Sequence, residues 1–303
     1  MILGIDVGGT TVKFGTVNTS NGEVSNKISL NTHEMERAGF VASLSKAISD
    51  YIQKHPAVTK VGIGFPGMLT ADRDGVVEMA NIPTCKNESV VSIIEKENPG
   101  ISVKIENDAK CAALGEFYFG DFEMDNFILV TLGTGVGSGV VINKKLFIGA
   151  RGNACEIGHI IIDRHETVEQ RLGLNQIIKY AQDNLAKDPS INSSLRGQEI
   201  TPKLIFDEAE RGDNYSKAVF EHVGRNLGEG LVAAIRLFDL NKIILGGGIT
   251  GAIEYFLPKL KETLNKNLPN YYMDDLEIKK ASVYGEAGIL GAAALQMDAY
   301  ANM

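Results

Sequence analysis

Asn107 and Asp108 are the residues of this sequence best placed for acid–base chemistry. The stretch from Ile105 to Glu116, IENDAKCAALGE, reads as a strand end, a turn presenting both side chains, and a helix opening with Ala109, Ala112, Ala113 and Leu114. In an open α/β sheet, ligands collect outside the carboxyl ends of the strands, so Asp108 stands where a general base could meet a bound hydroxyl. Asp108 could equally cap the helix by accepting the unsatisfied N–H groups of its first turn. The two roles are compatible.

Three glycine turns follow three apolar strands: GIDVGGTTVKFG, VTLGTGVGSG and ILGGGITG. Gly8, Gly9 and Thr10 in the first, Gly133, Thr134 and Gly135 in the second, and Gly247 and Gly248 in the third could offer backbone N–H groups to phosphate oxygens. None ends in the Lys-Ser/Thr of a P-loop, and each taken singly is as well explained as a tight turn. Asp6 ends the first strand, where a carboxylate can hold magnesium directly or through water. It could instead bond the backbone of its own turn. Lys13 could neutralise phosphate or stand exposed on a sheet edge.

These residues need a scaffold of strands. Ile2 to Asp6, Val12 to Val17 and Glu23 to Leu30 read as three antiparallel strands, with Asn21-Gly22 as a hairpin signal. Phe40, Leu44, Ala47, Ile48 and Tyr51 mark one face of a helix over 34–54. Lys60 to Phe65 is a buried-type strand stopped by Pro66-Gly67, and a short helix over 89–97 precedes a strand at 103–105. From Phe127 the opening pattern of strand, Gly-Thr turn, strand, turn and strand returns, which suggests duplication of one supersecondary unit. After an irregular insert at about 150–215 come a long helix (215–238), a strand (242–245), a helix (253–264) with Pro258 near its first turn, a strand (277–283) and a last helix (285–300).

A chain of 303 residues exceeds the size at which single cores usually stop growing, so two domains are expected. We place them at 1–120 and 121–303, the second carrying the insert, with a terminal helix over about 286–303 packing back on the first. Hydrophobic content of 44%, charged content of 22% and the lack of any long apolar run fit a soluble protein outside the membrane. The opening residues show no signal peptide, so a cytoplasmic location is expected. The net charge of -8 is spread along the chain without a basic stripe, which argues against nucleic acid as a partner. Three cysteines without a Cys-x-x-Cys pair encode neither a disulfide framework nor a cysteine zinc site.

DVGGTTVKFG (6–15), GIGFPG (62–67), ENDAKCAALGE (106–116), GTGVGSG (133–139) and GNACEIGH (152–159) occur in the order and spacing of the ROK family of sugar kinases and repressors, which the chain resembles over nearly its whole length. The resemblance implies an α/β protein of the two-domain actin-like, ribonuclease-H-like ATPase fold, with duplicated βββαβα units around a central cleft. It implies a homodimer, a small-molecule sugar substrate, and ATP with Mg2+ as cofactors. Asp108 would be the base that takes the proton from a sugar hydroxyl as it attacks the γ-phosphate. Asn81, Asn107, Asp108, Glu156 and His159 would bind the sugar; taken alone, the Asn, Glu and His would read as turn, surface and core residues.

One departure concerns zinc. Family members often carry CxCGxxGCxE after the Gly-His pair, and the nearest segment here is TVEQRLGLNQ (167–176). Thr167, Glu169 and Leu174 replace the cysteines, so structural zinc is not expected. Gln176 falls where the family has a sugar-binding Glu, with Glu166 and Glu169 as substitutes. Glucose phosphorylated at its 6-hydroxyl is the leading expectation. N-acetylglucosamine, N-acetylmannosamine, fructose and allose follow within the class. A sugar-sensing repressor is the reading from another class, expected less because the sequence enters its first strand at once.

Overall fold

The computed structural model describes residues 1–79, 82–283 and 285–297. β1 (Ile2–Val7), β2 (Thr11–Val17) and β3 (Val24–Asn31) form the antiparallel opening, with β1 buried along nearly its whole length and β3 mostly exposed. The helical stretch that follows is split into α1 (Thr32–Arg37) and α2 (Phe40–Lys54). Gly39 lies between them at φ 89°, a conformation no helix residue holds, so the amphipathic pattern breaks there. α2 buries Phe40, Leu44, Ile48 and Tyr51 against Leu3, Ile5 and Phe14 of the sheet.

β4 (Lys60–Phe65), a small hairpin of β5 (Met68–Leu69) and β6 (Val76–Glu78), α3 (Val90–Glu97) and β7 (Ser102–Asn107) lead into α4 (Asp108–Phe119). The first sheet has the order β3-β2-β1-β4-β7, with β1, β4 and β7 parallel. β8 (Phe127–Leu132), β9 (Val136–Ile142) and β10 (Lys145–Leu146) open the second half. The insert contributes the two-stranded β11 (Ile161–Asp163) and β12 (Glu166–Thr167), then α5 (Val168–Leu172), α6 (Leu174–Lys187) and α7 (Pro202–Glu210).

α8 (Asn214–Phe238) is the long helix and buries Val219, Val223, Leu227 and Leu231, the positions its periodicity marks. β13 (Lys242–Gly246), α9 (Ile253–Asn267), α10 (Asn270–Met273), β14 (Glu277–Lys280) and α11 (Ala287–Ala294) follow; the expected last helix ends at Ala294 among the described residues, and its part from 298 on lies outside them. Pro258 is the sixth residue of α9, deeper than its missing N–H would favour, and packing of that helix on α8 overrides the penalty. The second sheet has the order β10-β9-β8-β13-β14. It repeats the first sheet position by position, a hairpin of three strands continued by two crossover strands.

The chain resolves into two compact units, one of Met1–Leu129, Gly139–Cys155 and Ala281–Met303, the other of Val130–Ser138 and Glu156–Lys280. In the first, α11 lies on α4 and β1, and a Cβ on Gly291 would stand 1.7 Å from the Cys111 carbonyl oxygen. Only glycine permits that approach. β14 stops at Lys280 instead of continuing to Val283. The reason is Glu116 of α4, whose carboxylate accepts the Ser282 and Val283 N–H groups and the Ser282 hydroxyl.

Candidate active site

Asn107, not Asp108, caps α4. Its Oδ1 accepts the N–H groups of Ala109 at 3.0 Å and Lys110 at 3.2 Å, and its Nδ2 donates to the Gly67 carbonyl at 3.3 Å. Both residues are good caps by type, but Asn107 has the extended backbone (φ -60°, ψ 142°) that a cap needs, and Asp108 is already helical. The Asp108 Oδ1 adds a bond from the Ala109 N–H at 2.8 Å.

Asp6 shares that neighbourhood. The parallel register aligns Asp6 with Gly64 and Gly64 with Glu106, placing Asp6 and the β7 terminus two strands apart, about 10 Å at usual strand spacing. Cys111 reports the clustering: burial pushes its thiol well up, and the charges of Glu106, Asp108 and Asp6 add to that while Lys110 opposes it. Burial also raises the carboxyl of Asp6, with the Lys13 ammonium pulling the other way. A Cβ on Gly288 would stand 2.4 Å from the Asp6 carboxyl carbon, so a glycine leaves that carboxylate its space. Lys13 is exposed on β2, but β2 runs between β3 and β1, so Lys13 is not on a sheet edge.

The first glycine turn is fixed by the Gly8 N–H to the Thr11 carbonyl at 3.0 Å and by the Thr32 hydroxyl to the Gly8 carbonyl at 2.8 Å. The N–H groups of Gly9 and Thr10 make no hydrogen bond among the described residues. The second turn, in the other unit, has the same character. Gly133 donates to Gly135 and accepts from Leu174, both at 3.0 Å, while the N–H groups of Thr134 and Gly135 make none among the described residues. Each turn thus presents two adjacent amides to a ligand.

In the second unit Gly133, Thr134 and Gly248 line one cavity of about 530 Å³. Its apolar wall comes from Leu174, Ile177, Ile205, Phe206, Phe220 and Ile249. Gly247, at φ 89°, turns the chain from β13 into the 3-10 turn Gly248–Ala252. A concave apolar slot beside free amides suits a planar base attached to a polyphosphate. The glycines are legible in the sequence, whereas the apolar wall is not, because its residues are far apart in the chain.

Glu156 is half-buried and precedes the 3-10 turn Ile157–His159, where the Ile157 N–H donates to Ser138 Oγ at 3.3 Å. His159 is exposed, which removes the core-histidine reading. Gln176 is exposed in the first turn of α6. Asn81 lies outside the described residues. The zinc-motif positions carry other duties. Thr167 caps α5 in a reciprocal bond pair with Gln170, Glu169 accepts the Val136 N–H, and Leu174 lines the cavity. That donor set does not fit a structural zinc ion, which needs thiolate or imidazole ligands. No helix among the described residues is long and apolar enough to cross a membrane.

The comparisons with known proteins agree with this architecture. A glucokinase of Halalkalibacterium halodurans is 28% identical over 95% of this chain and 92% of its own. The DNA-binding transcriptional dual regulator NagC of Escherichia coli is 29% identical over 86% of this chain and 65% of its own. Among solved structures, a candidate sugar kinase from Cytophaga hutchinsonii superposes with a TM-score of 0.93 at 48% identity, covering 98% of this chain and all of that one. A ROK family glucokinase from Streptomyces griseus, in complex with glucose and AMPPNP, superposes with a TM-score of 0.79 at 29% identity over 97% of this chain and 98% of that one. The chain therefore has the actin-like ATPase fold. The model of the ROK family matches residues 2–299, and the chain belongs to that family.

Proposed function

We propose that this protein is an ATP-dependent sugar kinase that transfers the γ-phosphate of ATP to a hexose hydroxyl, with glucose as the leading substrate and Asp108 as general base. The observation that carries the reading is the division of labour at the start of α4. Asn107 caps the helix, and Asp108 stands in its first turn at the carboxyl end of the parallel strands. Phosphoryl transfer asks a protein chiefly for alignment and charge stabilisation. The paired amides of the two glycine turns supply the second of these, and the 530 Å³ cavity would take the adenosine. Asn107, Glu156, His159 and Gln176 would contact the sugar. Asp6 would hold magnesium, whose chemistry when bound is to shield phosphate charge.

The relatives favour two further outcomes. A glucokinase and a DNA-binding transcriptional dual regulator both appear among them, and N-acetylhexosamines differ from glucose at one substituent. A panel of hexoses and N-acetylhexosamines with Mg-ATP, read by ADP release, separates these. Selective turnover of glucose supports the leading reading, and turnover of an acetylated sugar alone keeps the mechanism and changes the substrate. Binding of a sugar without turnover by the wild type would make the protein a sensor.

A further inference from the structure

Arg73 lies in a turn-rich stretch that no sequence motif marks. Its Nε stands 3.0 Å from Glu106 Oε2 and its Nη2 3.2 Å from Glu106 Oε1, a two-pronged pair with a carboxylate that is fully buried. The same guanidinium donates to the carbonyls of Thr70 and Gly152. Glu106 is the residue before Asn107, and its Oε1 also accepts the Asn107 N–H at 2.8 Å. One side chain thereby holds three segments together: the loop between β5 and β6, the end of β7, and the GNAC segment.

Two further features show that this junction is specified. Asn153, beside Gly152, donates to the Leu69 carbonyl at 2.8 Å and accepts the Leu69 N–H at 3.1 Å, so the GNAC segment and the loop are tied twice. Arg73 holds φ 59°, a left-handed conformation that costs an ordinary residue, and a Cβ on Gly152 would stand 2.1 Å from its Nη1. A buried ion pair adds little net stability because desolvation offsets its attraction. Strain and burial concentrated beside a carboxylate base point to positioning instead.

We propose that Arg73 is a positioning residue for the Asn107–Asp108 turn, acting through Glu106 to fix that turn against the loop of residues 66–79. The proposal rests on the sugar-kinase reading for its kinetic consequence, whereas its structural consequence stands without it. Arg73→Gly removes the side chain and suits the backbone angle. Arg73→Met with Glu106→Gln removes both charges at once, so that no lone carboxylate is left buried if the single variant folds poorly. Lysine cannot reproduce the fork.

The test is hydrogen exchange and steady-state kinetics on the full chain. In Arg73→Gly and in the double variant, exchange should rise together in peptides covering 66–79 and 105–110, with the rest of the first unit unchanged. The kcat should fall by about tenfold or more, KM for ATP should stay within about twofold, and added guanidinium ion should restore part of kcat in Arg73→Gly but none in Arg73→Lys. Unchanged exchange in those peptides, or wild-type kcat in a variant that has lost the pair, overturns the proposal. A wild type that turns over no sugar overturns the kinase reading instead, and the exchange result then decides the role of Arg73 alone.

Discussion

Glu169 Oε2 accepts the Val136 N–H at 2.8 Å, which ties α5 to the first residue of β9 and so to the second glycine turn. A Cβ on Gly135 would stand 2.3 Å from that same oxygen, so the carboxylate and the turn are fitted to each other. If this turn holds ATP phosphates, Glu169→Ala loses one hydrogen bond that shapes it, a loss of about 1 kcal/mol. We expect KM for ATP to rise by roughly fivefold in Glu169→Ala and by less in Glu169→Gln, which keeps an acceptor oxygen. Initial rates against ATP concentration check this.

The packing of α11 on α4 predicts a stability effect away from any chemistry. Gly291→Ala places a methyl group 1.7 Å from the Cys111 carbonyl oxygen, and backbone must move to admit it. Overpacking of this kind costs about 1 to 3 kcal/mol, which lowers Tm by several degrees in a protein of this size. Calorimetric melting of the variant is the measurement. A Tm equal to that of the wild type would mean that α11 does not lie on α4 as described.

His222 gives the fold a pH dependence. It is buried and stacked on Tyr180 with ring centroids 3.7 Å apart, and its pKa falls to about 4, from burial first and then from the nearby charges of Arg171 and Arg225. Between about pH 6.5 and 4 the unfolded chain binds the proton and the folded one does not. Stability is therefore full above pH 6.5 and is lost as pH falls toward 4, by an amount on the order of 3 kcal/mol. Urea melts across this range should show a shallower pH slope for His222→Gln than for the wild type.

The thiols divide by burial. Cys85 and Cys111 are buried, and burial pushes Cys85 up to about 12 and Cys111 well above its usual value. Cys155 is half-exposed. Because the thiolate is the reactive form, a disulfide reagent should titrate Cys155 rapidly in the native protein and all three thiols only after denaturation.

Local chemistry made much of this legible in the sequence. Apolar runs beside the glycine turns located β1, β2, β8 and β9, and the repeated pattern announced the repeated strand order. Asn107 and Asp108 were found, but not which of them caps, because both are capping types and the choice depends on backbone angles. The break at Gly39 was missed because the apolar face continues across it. Contacts between distant residues left no local trace: Glu116 drawing in Ser282, Arg73 meeting Glu106, and Phe206 and Phe220 closing a cavity onto Thr134.

The most direct test of Asp108 as the base of a glucose kinase is ADP release with Mg-ATP and glucose, measured for the wild type and for Asp108→Ala, alongside calorimetric binding of glucose to both. Glucose-dependent turnover is expected in the wild type, and its loss by about 10² to 10⁴ in the variant, with glucose binding retained. Turnover that survives Asp108→Ala would contradict the assignment of the base, and glucose binding without turnover in the wild type would contradict the kinase reading itself.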